Sequence, residues 1–294
     1  MYKLLLLTDF SAASEHAIAF AQALFADTAT NFCLLHTYPI RLEESYAGAL
    51  MLAEDRAVAE TQLRQLKEKI TQQPVPDYHT YRTMVALGGP VGAVDELLTD
   101  EQFDLIVVGA SGTGFAELFG SVATGLVRSA PTNVLVVPTR APITPVQEVV
   151  LATDYRSVNH TESLTFLNEL ASRKGANLTL LTIEKGLPGE PLSPLTRDVV
   201  EQAFDSVQAN PYFIYDDDAL HGIDLYLNEH RTDLLVLIPH HKGFFDVLLQ
   251  NSVTRSLAFA PRVPLLTLYD GEQAMATRHQ SASQPERPAA LPAF

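Results

Sequence analysis

Gly109-Ala110-Ser111-Gly112-Thr113-Gly114 follows directly on the apolar run Leu105-Ile106-Val107-Val108, and Gly120-Ser121-Val122 then opens a helical pattern. Glycines at a strand end let the backbone approach a ligand and adopt positive φ. Unpaired amides at a helix start, together with the aligned peptide dipoles, attract anions. The chemistry on offer is main-chain binding of a phosphate. A tight strand-to-helix turn without a ligand is the competing reading, and spacing alone leaves both open. No Gly-Lys-Ser or Gly-Lys-Thr occurs, and the glycines follow the fourth strand pattern rather than the first, so neither common phosphate fingerprint applies.

Other reactive side chains are weaker candidates. Adjacent His240 and His241 are poorly placed to chelate one ion, and no cysteine or carboxylate completes a set around them. Asp216-Asp217-Asp218 precedes a helical pattern, where acidic residues are favoured without any metal. His36 and Cys33 lie in an apolar strand and read as core residues. Gly112-Thr113-Gly114 lacks the serine of a hydrolase elbow. Asp9 has no acidic neighbour, and no lysine ends the fifth strand, so a response-regulator reading fails as well. No catalytic residue and no metal ligand is assigned, and the chain is not expected to be an enzyme.

The elements that must position the glycine loop alternate between strand and helix. Lys3 to Leu7 is a continuous apolar run, as in a parallel strand covered on both faces. Ser11 can cap a helix from about Ala12 to Phe25. Strands are expected at 32–36, 81–86, 105–108 and 134–137. A polar, irregular stretch from Tyr38 leads into a helix with Leu63, Leu66 and Ile70 on one face. Pro90 can start a further helix, and Val122 to Arg128 forms another. This order predicts an open, five-stranded parallel sheet with helices on both faces.

The plan then repeats. Leu4 to Phe10 returns as Val149 to Tyr155, and Phe103 to Gly109 returns as Thr232 to Ile238. Second-copy strands are expected at 149–152, 178–183, 212–215, 234–238 and 265–268, and Gly175 can end its first helix. Asp9 maps to Asp154 at an offset of 145 and Asp104 to Asp233 at 129, so the second copy lacks sixteen residues, mostly in the part matching Tyr38 to Ile70. The domains predicted are 1–140 and 146–270, with a linker between them and a polar, Pro-rich tail at 271–294 that composition marks as disordered. The second copy keeps Asp154 but has lost the glycines. A local hydrogen bond at the turn therefore competes with ligand contact as the role of Asp9. Ile238 adds a Cβ and Pro239 removes an amide donor, which argues against a nucleotide in that copy.

Thr8-Asp9-Phe10-Ser11, Leu34-Leu35-His36, Asp104 to Gly109 and the stretch from Ser121 to Pro138 resemble the universal stress protein family, and the likeness runs through both copies to about Asp270. The resemblance implies two tandem Rossmann-like domains of the adenine nucleotide alpha hydrolase-like kind. It implies ATP, with Mg, bound in the first domain and nothing in the second. By the same resemblance Thr8 and Asp9 face the nucleoside end and Thr37 lies by the adenine through its backbone. Gly109, Ser111, Gly112, Gly120, Ser121 and Val122 would hold ribose and phosphates. Nucleotide-binding members place nine residues between the second glycine and Gly-Ser or Gly-Thr, whereas seven separate Gly112 from Gly120-Ser121 here. A stress-response regulator is the function implied. An interaction scaffold without nucleotide is the alternative, motivated by the shorter interval.

Composition sets the remaining bounds. The 294 residues carry a net charge of -15, with 47% hydrophobic and 19% charged residues. Scattered lysines and arginines on an acidic chain argue against nucleic acid or anionic membrane as a partner. A single cysteine and no span-length apolar run point to the reducing cytoplasm. The two copies are expected to pair through 134–137 and 265–268 as an intramolecular pseudo-dimer, with a homodimer of whole chains and an unidentified protein partner both left open.

Overall fold

The computed structural model describes residues 1–40, 46–72, 74–110, 121–155, 161–184, 198, 200–238 and 263–271. Its elements are β1 (Tyr2–Leu7), α1 (Ala12–Leu24), β2 (Thr30–Tyr38), α2 (Tyr46–Thr71), β3 (His79–Leu87), α3 (Pro90–Asp100), β4 (Leu105–Ala110), α4 (Ser121–Ser129) and β5 (Asn133–Pro138) in the first half. The second half holds β6 (Glu148–Ala152), α5 (Thr165–Lys174), β7 (Asn177–Glu184), β8 (Ala209–Tyr215), α6 (Ala219–Glu229), β9 (Leu234–Leu237) and β10 (Leu265–Thr267). All ten strands form one sheet in the order β3-β2-β1-β4-β5-β10-β9-β6-β7-β8. Each half contributes five parallel strands, and the halves join where β5 pairs antiparallel with β10, Leu135 opposite Leu266.

The leucine run of β1 shows why such a sheet must be covered twice. Leu4 and Leu6 enter the core under α1, α2 and α5, while Leu5 and Leu7 enter the core under α3, α4 and α6. Alternation along a strand sends successive side chains to opposite faces, so an unbroken apolar run is stable only between two helical layers. Burying each leucine contributes about 2 kcal/mol.

Local signals set several helix ends. Ser11 is extended and its Oγ accepts the Ser14 amide, which starts α1. Pro90 occupies the first turn of α3. Gly175 ends α5 at φ 58, and the Ala176 amide bonds back to Ala171. The expected irregular stretch after Tyr38 is instead helical from Tyr46 onward. Leu50, Met51 and Val58 are exposed there, while Ala59, Leu63 and Leu66 are buried and Ile70 packs against the core, so the apolar period is clear only in the later turns. Forty residues (39–78) join β2 to β3, and twenty-four (185–208) join β7 to β8, which accounts for the sixteen missing from the second copy.

The halves also share hydrogen bonds at matching positions. Asp104 accepts the Lys3 amide and Asp233 the Glu148 amide, each tying the strand before a glycine-loop position to its neighbour. Thr8 Oγ1 accepts the Phe10 amide and Thr153 Oγ1 the Tyr155 amide, both at 3.0 Å. Phe10 and Tyr155 take the same left-handed backbone, φ 62 and 56. A second contact between the halves lies away from the seam. Arg173 on α5 reaches Asp27 and covers the rings of Tyr2 and Phe25, and Tyr2 donates to Glu169.

Of the tail expected from Gly271, residues 272–294 lie outside the described residues, as do His240 and His241. No helix among the described residues is long and apolar enough to cross a membrane.

Candidate functional site

β1 stops at Leu7 while its neighbours β2 and β4 run on to Tyr38 and Ala110. The chain leaves β1 toward one face of the sheet and β4 toward the other, so a crevice opens between them at the carboxyl edge. A cavity of about 240 Å³ occupies this place, with Thr8, Asp9, Thr37, Gly109 and Val122 in its wall. Five of the nine expected site residues therefore surround one space. Ser121 begins α4, its side chain undescribed, and Ser111, Gly112 and Gly120 lie outside the described residues.

The β1–α1 turn is a closed hydrogen-bonded unit. Besides the Phe10 amide, Thr8 Oγ1 meets Ser14 Oγ at 3.1 Å. Asp9 Oδ1 accepts the Ser11 amide at 3.0 Å, and its carboxylate is otherwise exposed at the cavity. Partial burial raises the Asp9 pKa, but hydrogen bonds from Ser11 and Ser14 outweigh it and hold the carboxyl below its ordinary value. Since the Thr-Asp-aromatic turn recurs in the half without the loop glycines, the bonds of Thr8 serve the turn itself, while Asp9 is exposed at the cavity.

His36 is satisfied rather than reactive at one nitrogen. Its Nδ1–H donates to the Thr8 carbonyl at 2.8 Å, and its ring packs 4.4 Å from that of Phe10. Thr37 offers its main chain. The Thr8 amide bonds to Leu35 O on the β1 side of β2, whereas Tyr38 O accepts Gly88 on the β3 side. Alternation sends the N–H and C=O of Thr37 the same way as those of Leu35, into the space beyond the end of β1.

Gly109 also has a neighbour that its motif does not name. A Cβ there would stand 2.4 Å from the Ala13 carbonyl oxygen, so its bareness admits the first turn of α1. Ser11, Ala13 and Ser14 also line the cavity. Their positions two, four and five residues beyond Asp9 were a usable signal, because a helix start so close to a strand end shares its edge. Among the described lining residues only Asp9 and His36 are ionisable, and neither lysine nor arginine is present.

The second half carries different residues at the equivalent positions. Thr153 bonds to Leu181 O as Thr8 does to Leu35 O, which places Ile183 at the position of Thr37. Ile183 lies so close to α6 that a Cβ on Gly222 would stand 2.8 Å from it. Ile238, at the position of Gly109, is buried. Asp218 caps α6 through the Leu220 amide and Asp216 accepts from Asp218 and His221, so that acidic run is engaged in helix initiation. No metal-ligating cluster occurs among the described residues. Burial pushes the Cys33 thiol up to about 11, in keeping with a core position.

Fold and crevice together define a doubly wound α/β protein with a cavity at the switch point of its first half. The universal stress protein family model matches residues 1–138, the amino-terminal part of the chain. A universal stress protein from Archaeoglobus fulgidus is similar over 92% of this chain and 98% of its own, at 15% identity and a TM-score of 0.72. A universal stress protein solved in complex with cAMP is 26% identical, covering 47% of this chain and 97% of its own with a TM-score of 0.35. The cytoplasmic domain of a prokaryotic cation chloride cotransporter matches 92% of this chain and 95% of its own, at 12% identity and a TM-score of 0.50. The first and last of these likenesses concern the fold alone, which hosts more than one role. No curated protein matches the chain.

Proposed function

We propose that the amino-terminal half binds an adenine nucleotide, ATP with Mg²⁺, and that the chain acts as a cytoplasmic stress-response regulator rather than an enzyme. The observation that carries this reading is the meeting of Asp9, Thr37 and Gly109 around one cavity at the sheet's switch point. The main chain of Thr37 supplies a donor and an acceptor side by side, which suits the hydrogen-bonding edge of adenine. The exposed carboxylate of Asp9 suits a ribose hydroxyl, and the start of α4 brings Val122 to the same cavity, where helix-start amides suit a phosphate. With no lysine or arginine in the described wall, a triphosphate needs main-chain amides and Mg²⁺ to offset its charge. No side chain here is assigned as a general base.

Nucleotide retained by freshly purified protein, identified by mass spectrometry, tests the reading, with calorimetric titration of ATP and Mg²⁺ as the second measurement. Gly112→Val should abolish retention while the fold is kept. Neither bound nucleotide nor heat on titration would overturn the proposal and favour the scaffold reading, which the seven-residue interval between Gly112 and Gly120 supports.

A further inference from the structure

Gly109 joins the cavity to the packing of the helix beside it. A methyl group on its Cα would lie 2.4 Å from Ala13 O, 2.6 Å from Ala13 C and 2.9 Å from Ser14 N, all backbone atoms of the first turn of α1. Backbone atoms cannot rotate aside as a side chain can, so relief requires the helix start itself to move. That start is held from several directions. Ser11 caps it, Ala17 and Ile18 are buried one turn on, and His16 Nε2 bonds to the Ala141 carbonyl at 2.8 Å. In the second half Ile238 takes the position of Gly109, and its side chain belongs to the core on the face that carries α1 and α5.

We propose that Gly109 is a positioning residue: its missing side chain seats the first turn of α1 against β4, which brings Ser11, Ala13 and Ser14 into the cavity wall. Ile238, at the same strand position in the second half, instead places a side chain in the core. The proposal goes beyond the nucleotide reading, because it holds for whatever ligand the cavity takes.

The test compares three variants with the wild-type chain, first without ligand. In Gly109→Ala the melting temperature should fall by several degrees, and the Ser14 and Glu15 amides should exchange hydrogen faster. Gly222→Ala is the destabilised control, since its clash lies in the second half; it should melt lower yet leave those two amides protected. Gly92→Ala is the clash-free control, which should melt no lower than the wild-type chain, with nothing within 4 Å of the added carbon. Titration with Mg²⁺ and ATP should then show about tenfold or greater weakening in Gly109→Ala alone. Failure of Gly109→Ala to accumulate while Gly92→Ala accumulates normally supports the same conclusion. Wild-type melting and amide protection in Gly109→Ala would overturn it. Should the wild-type chain bind no nucleotide, the ligand-free measurements still decide the role of Gly109, and only the nucleotide reading falls.

Discussion

Replacing Arg173 with alanine should loosen the two halves at a point remote from the β5–β10 seam. Its Nη1 lies 2.7 Å from Asp27 Oδ1, with the two side chains 23% and 35% exposed. A partly exposed pair of this kind contributes about 1 kcal/mol at most. The guanidinium carbon also stands 5.0 Å from the centre of the Tyr2 ring and 5.4 Å from that of Phe25. Each cation–ring contact adds about 0.5–1 kcal/mol. Against these gains, Arg173 Nε and Nη2 are buried with no hydrogen-bond partner among the described residues, and truncation relieves that penalty. The contacts sum to about 2–3 kcal/mol, and relief of the two orphaned donors at about 1 kcal/mol each leaves a net loss of about 1 kcal/mol. Equilibrium urea unfolding followed by two probes measures it, and Asp27→Asn completes a double-mutant cycle with a coupling of about 0.5–1 kcal/mol. High salt should shrink that coupling and spare the ring contribution. An Arg173→Ala chain within about 0.5 kcal/mol of wild type, the usual range for a surface substitution, would refute the reasoning.

Other outcomes follow from single sites. Gly92→Ala should raise stability by about 0.5–1 kcal/mol, since α3 has room for the methyl group and the unfolded chain loses freedom; a drop in the urea midpoint would contradict this. Thr8→Val and Thr153→Val should each cost about 1–2 kcal/mol by stranding a turn amide, with Thr8→Val the more harmful because it also loses Ser14 Oγ; urea midpoints compare them. Burial raises the pKa of Glu101, but hydrogen bonds and charge from Arg82 and Lys3 hold it below its ordinary 4.5. Its contribution to stability is therefore complete above that value and is lost as pH falls through the lowered pKa, so Glu101→Gln should flatten the acid limb of the stability profile; an unchanged limb would count against the ion cluster. Cys33, buried with its thiol raised to about 11, should resist a disulfide-exchange reagent until urea unfolds the chain, and fast labelling of native protein would be inconsistent with its place in β2.

Much of the fold was legible because its signals are local. Four leucines in a row marked β1, Ser11 and Pro90 marked helix starts, and Gly175 marked a left-handed helix end. β2 and β3 extend beyond their expected ends, since Thr30, Asn31, Thr37, His79 and Thr80 there are polar and continue no apolar run, and pairing rather than periodicity keeps them extended. The beginning of α2 was hidden because exposed Leu50, Met51 and Val58 mimic no buried face. At the site, Asp9, Thr37 and Gly109 could be named from motif resemblance. The contact between Gly109 and Ala13 could not, because it exists only once α1 lies across the end of β4. The same holds for the contact of Ile183 with α6, which depends on how near that helix comes.

Joining β5 to β10 inside one polypeptide has an evolutionary consequence. In an assembly of identical subunits every substitution appears in each copy, so a pocket cannot be closed on one side and kept on the other. Covalent linkage removes that obligation: Ile183 and Ile238 stand on one flank of the seam while Thr37 and Gly109 persist on the opposite flank. Dilution cannot separate the partners either, because their association is intramolecular. The sheet's free borders are now β3 and β8, and Pro211 in β8 lacks an amide that an added strand would need. One polypeptide thus leaves each flank free to vary on its own while fixing their ratio at one to one.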